Sequence, residues 1–156
     1  MPHETVAALI KLEIRVIVNG NAYVFCETPT CPVVYFTADG SQVLKTHLRV
    51  RVGAKETEDP IPVCYCFNVT ERMIHEEVAQ TGCSTASTRI RAEVKAGKCR
   101  CEVENPSGRC CLGEVIPAEK RATLVVAPVL ETTDHVPKLI DRPLRDRKLA
   151  SAPGSE

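Results

Sequence analysis

Nine of the 156 residues are cysteine, and four of the nine fall within "KCRCEVENPSGRCCLG", residues 98–113. That concentration of sulfur constrains the fold more than any other feature of the chain. A C-x-C pair is followed by an Asn-Pro-Ser-Gly turn and then by two adjacent cysteines, so the turn returns the chain from Cys101 to Cys110 and Cys111. Tryptophan is absent and aromatics make up 4% of the residues. The apolar core therefore rests on Val, Ile, Leu and Ala and is modest, and bound metal would supply part of the folding free energy.

The setting decides how the thiols are read. Lys11, Glu13 and Arg15 interrupt the opening apolar run, and no stretch of 18 apolar residues follows, which argues against a signal peptide or a membrane span and for a cytoplasmic protein. In a reducing cytoplasm clustered thiols are metal ligands or redox groups more often than disulfides. The 20 basic and 20 acidic side chains balance, so nothing in the overall charge points to nucleic acid.

The pattern along the chain predicts an α+β protein. A short helix over 5–10 precedes residues 12–18, whose alternating apolar residues read as a strand, with Asn19-Gly20 as a hairpin turn into "AYVFC". "PVVYFT" and "QVLKTHLRVRV" continue a small antiparallel β meander, placing a β subdomain at 1–52. The charged, proline-ended stretch 53–62 reads as a linker. Thr70 caps a helix through "ERMIHEEVAQ" that Gly82 stops, and Ser84 or Thr85 starts a second, "ASTRIRAEVKA", that ends at Gly97, which gives a helix-turn-helix unit over 63–116. The tail is 117–156: "TLVVAPVL" reads as an edge strand because of Pro128, and disorder is expected from about 131.

An antiparallel helix pair brings its outer ends together, so Cys64 and Cys66, before the first helix, meet the group after the second. Helix N-termini and free N–H groups stabilise thiolates and an anionic cluster. Four thiolates at one point are the ligand set of a [2Fe-2S] cluster, whereas structural zinc uses C-x2-C knuckles that this half lacks. Six thiols (Cys64, Cys66, Cys99, Cys101, Cys110 and Cys111) compete for four places, so two are spectators. Cys83, between the helices, reads as a small apolar or capping residue.

"RVGAKETEDPIPVCYCFNVTERMI" followed by "CEVENPSGRCCLG" resembles the amino-terminal domain of CopZ-type copper chaperones, part of a broader group that includes bacterioferritin-associated ferredoxin. The resemblance covers about residues 20–115. It implies a [2Fe-2S] centre in a helix-turn-helix unit like that of bacterioferritin-associated ferredoxin, beside a small zinc-binding domain, with Cys64, Cys66, Cys101 and Cys111 as cluster ligands. On spacing alone Cys99 and Cys110 stay open as alternatives.

Cys26 and Cys31 form a C-x4-C that resembles half of the family's zinc site. The family's other pair is an upstream C-P-x-C absent from "MPHETV": either the start is shortened, the favoured reading, or this member has lost the site. His3 and His47 are candidate extra ligands, with ordinary surface imidazoles the better reading. The family carries copper on a separate domain with a C-x2-C motif, which this sequence lacks, so the chain is not expected to deliver copper by itself.

The sequence thus points to a [2Fe-2S] protein of one-electron transfer in copper or other metal handling, with an electron donor or acceptor protein as partner. Tyr65, Phe67 and Leu112 would shield the cluster, and Arg100 and Arg109 would offset its charge. The alternative is a metal-binding adaptor, with a structural cluster or with zinc (Zn2+) in its place, that recruits a reductase, a metal transporter or a copper-carrying domain. No catalytic constellation can be assembled from the four histidines, and His75 reads as a surface helix residue.

Overall fold

A computed structural model describes residues 1–18 and 20–130, and the disorder expected beyond 131 lies outside the described residues. The architecture is α+β. Helix α1 (His3–Leu9) packs beside a three-stranded antiparallel sheet of β1 (Val24–Phe25), β2 (Val33–Phe36) and β3 (Gln42–Leu44) in the order β1-β2-β3. Register is set by Phe25 opposite Tyr35 and Tyr35 opposite Val43. Val6, Leu9, Tyr23, Val34, Tyr35 and Val43 fill the core beneath it.

One expected strand is replaced. Residues Leu12–Ile17 form a 3-10 helix, with Leu12 and Val16 exposed to solvent. Alternation in sequence yields a strand only where a neighbouring strand and a core receive it, and here Ile10 bridges to Leu48 while, among the described residues, β1 pairs only with β2. The third strand is shorter than expected: the chain leaves β3 at Leu44 for a 3-10 turn over Lys45–His47.

The stretch read as a linker is anchored at its start, while residues 57–60 are exposed. Gly53–Lys55 form a 3-10 turn, and Lys55 is 5% exposed. A two-stranded ribbon of β4 (Pro62–Cys64) and β5 (Val69–Thr70) follows, with "YCFN" as its connection.

The helical hairpin forms as its caps predict. In α2 (Glu71–Thr81) the Thr70 hydroxyl accepts the Met73 N–H at 3.3 Å, and Gly82, in the left-handed conformation at φ 80°, closes the C-terminus. Helix α3 (Ala86–Lys95) begins after Thr85, and a short α4 spans Cys101–Glu104. "TLVVAPVL" is not an edge strand but part of a long helix α5 (Leu112–Leu130). Val115, Ala118 and Ala122, at helical spacing, are buried against α2 and α3. Burial along one face outweighs the β propensity of a Val-rich run. With Ile74, Val78 and Ile90 they enclose Cys64, Cys101 and Cys111 in a second apolar core.

Candidate metal centre

The ribbon and helices converge on sulfur. Cys64 ends β4, Cys66 lies in the ribbon connection, Cys101 opens α4 and Cys111 immediately precedes α5. The Sγ atoms of Cys66, Cys101 and Cys111 lie within 4.8 Å of one another, and no other group of three or more potential ligands is as close among the described residues. Cys101 is 3.6 Å from Cys66 and 3.4 Å from Cys111. Cys64 joins the group through a hydrogen bond with the Cys111 thiol.

Of the alternatives, Cys99 is half-buried and touches Cys101 at 3.2 Å, whereas Cys110 is exposed and uses its carbonyl to accept the Gly113 N–H at the start of α5. Cys83 is exposed in the inter-helix turn, so it is not an apolar filler there. All nine cysteines are free thiols.

Backbone amides surround the centre. The Arg100 N–H donates to Cys66 Sγ at 3.3 Å and the Cys111 N–H to Cys101 Sγ at 3.4 Å, while those of Phe67 and Tyr65 donate to Cys64 and Cys111. The amide of Asn105 adds a donor to Cys111 Sγ at 3.5 Å. Asn105 is 4% exposed and organises the whole Asn-Pro-Ser-Gly turn: Nδ2 also donates to the Arg109 carbonyl, and Oδ1 accepts from the Ser107 N–H and hydroxyl. The sequence marks Asn105 only as a turn residue, since its spacing from Cys111 says nothing of where its amide points.

The thiols sort into one that favours the thiolate and several that resist it. Cys64 lies below the usual thiol range because it accepts from the Cys111 thiol and the Phe67 N–H. Cys111 is pushed up because its proton serves Cys64 and because it is buried, and burial pushes Cys101 and Cys66 up as well. Desolvated thiols crowded together hold their protons until a cation replaces them. Sulfur donors in a dry pocket lined by N–H groups match the chemistry of soft metals and of anionic iron-sulfur clusters.

Tyr65, Phe67 and Leu112 pack against this core. Arg100 and Arg109 pair at the surface with carboxylates, Glu104 at 3.9 Å and Glu27 at 2.7 Å.

Cys26 and Cys31 sit together on the loop between β1 and β2 and hydrogen-bond each other. Cys26 falls below the usual thiol range because of the Thr28 N–H, with help from the Cys31 thiol and the Lys55 ammonium. Lys55 is the residue that sequence reasoning missed here: its Nζ donates to the carbonyls of Thr28 at 2.6 Å and Cys31 at 3.2 Å, bracing the loop from below. His3 and His47 do not join the pair; His3 lies beside Glu4, and His47 Nδ1 accepts the Leu44 N–H. His75 is half-buried on α2.

Fold and site together define a small cysteine-rich metal-binding domain, with a thiol pair on a β loop and a larger thiol group at the end of a helical hairpin. Residues 1–49 match a family described as the CopZ zinc binding domain. The chain is 41% identical over 126 residues to the "Copper chaperone CopZ" of Archaeoglobus fulgidus, an alignment that covers 76% of this chain and 58% of that protein. It matches the X-ray structure of the Archaeoglobus fulgidus CopZ N-terminal domain with a TM-score of 0.62 and 38% identity, over 75% of this chain and 87% of the other. The chain belongs to the family of CopZ N-terminal domains. It spans 58% of the length of the full-length relative.

Proposed function

We propose that this protein is a non-catalytic metal-handling module of the cytoplasm, acting with a copper-carrying domain or metal transporter. The observation that carries this reading is the convergence of the Cys66, Cys101 and Cys111 sulfurs within 4.8 Å, with Cys64 hydrogen-bonded to Cys111. Such a group in an apolar core costs folding free energy as bare thiols and returns it when a metal is bound. The family relationship to a protein named a copper chaperone supports the metal-handling role.

The donor set suits a [2Fe-2S] cluster held by Cys64, Cys66, Cys101 and Cys111, which would supply one-electron chemistry and an electron-transfer partner. The amides of Arg100, Phe67, Tyr65 and Cys111 and the side chain of Asn105 would donate to its sulfurs and tune its potential. Zinc in the same place is the second reading. Sulfurs on one tetrahedral zinc lie about 3.8 Å apart for Zn–S of about 2.3 Å, and the Cys66–Cys101 and Cys101–Cys111 separations are 3.6 and 3.4 Å. Cys26 and Cys31 provide two thiolates toward a zinc site, half of a four-coordinate set.

The test is anaerobic purification with iron, sulfide and zinc counted per chain, alongside absorption and paramagnetic resonance spectra. Two irons and two sulfides support the cluster; zinc alone supports the second reading; a chain that binds neither overturns the proposal. If the cluster transfers electrons, it reduces and reoxidises without losing iron, and irreversible bleaching on one-electron reduction overturns that part. Removing the metal with a chelator is expected to lower the melting temperature.

A further inference from the structure

The centre holds one sulfur more than four ligands require, and its thiols lie in two tiers. Cys64, Cys101 and Cys111 are 1%, 6% and 1% exposed, while Cys66 and Cys99 are half-buried at the rim. Cys99 lies in the segment Lys98–Arg100, which has no helix or strand and joins α3 to α4, after Gly97 at φ 73°. Its Sγ donates to Cys101 Sγ at 3.2 Å, and Cys101 in turn lies 3.6 Å from Cys66. The neighbouring Arg100 N–H donates to Cys66 itself, so the segment is tied to the rim just after Cys99.

We infer that Cys99 is the entry thiol of the metal centre, binding an incoming thiophilic cation with Cys66 at the rim and passing it to Cys101. The inference rests on the metal-handling reading above. A hydrated cation sheds water in steps and cannot first meet a thiol that is nearly free of solvent contact. A half-exposed thiol in contact with a buried one offers those steps. On entry the cation displaces the Cys99 and Cys66 thiol protons to water, and in the transfer the metal–Cys99 bond breaks as the metal–Cys101 bond forms. The proton leaving the Cys101 thiol is taken by the Cys99 sulfur across the 3.2 Å contact, and no electron changes hands. An extra thiol beside a ligand also serves as a reserve: where Cys101 is lost, Cys99 takes its place.

The experiment loads the metal-free full chain with ferrous iron and sulfide, and separately with zinc, under anaerobic conditions, and follows uptake over time and metal per chain at the end. C99A is expected to load about tenfold more slowly, at the lower end of what partners of a metal site contribute, and to reach the wild-type metal content and spectrum. C101S is expected to retain a centre with an altered spectrum, and C99A/C101S to retain none. Circular dichroism of each metal-free variant checks that the fold is kept. C99A loading at the wild-type rate overturns the entry role, as does C99A ending with less metal than wild type, which would make Cys99 a permanent ligand. C101S and C99A/C101S binding equal amounts overturns the reserve role. A wild-type chain that takes up neither metal is a different outcome: it overturns the proposed function, and this inference with it.

Discussion

At the scale of single residues, Asn105 and Tyr65 do work that their types do not announce. Asn105 is buried, and both ends of its amide are used, toward Arg109 and Cys111 and toward Ser107. Asn105→Ala leaves several of these groups without partners and is expected to cost about 2–4 kcal/mol in urea denaturation, because unsatisfied buried polar groups carry a full desolvation penalty. Asn105→Asp keeps the Ser107 acceptor and loses the donor to sulfur, so it should recover part of the stability but not the wild-type spectrum. Tyr65 is pushed up to about 12, first by burial, although the Gly53 N–H that donates to its hydroxyl at 2.8 Å acts the other way. Its folded value lies above the ordinary tyrosine value of about 10. The neutral phenol therefore stabilises the fold fully below about pH 10, and that contribution is lost as pH rises toward 12. Denaturation midpoints across this window should fall in the wild type and fall less steeply in Tyr65→Phe; equal slopes would refute the assignment.

At the scale of elements, α5 organises the helical half. Helix α3 has no side-chain cap from Thr85 itself. Its first amides are met from elsewhere: Glu119 of α5 accepts the Ser87 N–H at 2.8 Å, the Ser84 hydroxyl accepts that of Ala86, and Glu77 of α2 accepts that of Thr85. Glu119→Ala is expected to cost about 1 kcal/mol, the usual loss for an N-terminal cap, with Glu119→Gln closer to wild type in thermal melts. Ala122 is fully buried where α5 packs among the helices. Ala122→Leu overfills that contact and should cost about 1–3 kcal/mol. A neutral result in chemical denaturation would mean that α5 is not held tightly against α2 and α3.

At the scale of the whole molecule, the two cores are joined next to the thiol centre. The Tyr35 hydroxyl on β2 donates to the Pro106 carbonyl at 2.7 Å, within the turn between Cys101 and Cys111, and α1 packs on α4. Arg109 pairs with Glu27, beside Cys26. Gly53 packs closely on β4: a Cβ there would lie 2.0 Å from the Pro62 carbonyl oxygen. Gly53→Ala therefore forces backbone apart beside Tyr65 and is expected to cost about 2 kcal/mol or more, with a change in tyrosine near-UV circular dichroism. Unchanged stability would show that the backbone at residues 53 and 62 moves apart freely.

What the sequence determined by itself are the features that depend on neighbours along the chain. The Thr70 cap and the Gly82 stop are local, so the α2–α3 hairpin was legible, and so was the convergence of the "CYC" and "CRC" groups that follows from it. The β2–β3 meander was legible from its turn and alternation. Tertiary structure decided everything that needs a distant partner. Residues 12–17 alternate like a strand, yet form a 3-10 helix, because among the described residues no strand pairs with them. The Val-rich start of "TLVVAPVL" became helix because Ala122 and the preceding turns of α5 bury one face against α2 and α3. Lys55, read as part of a linker, is buried under the Cys26–Cys31 loop. Composition gathers the sulfur, but the depth of each thiol below the surface separates Cys99 from Cys101 and Cys110 from Cys111, and burial is set by contacts that no sequence spacing encodes.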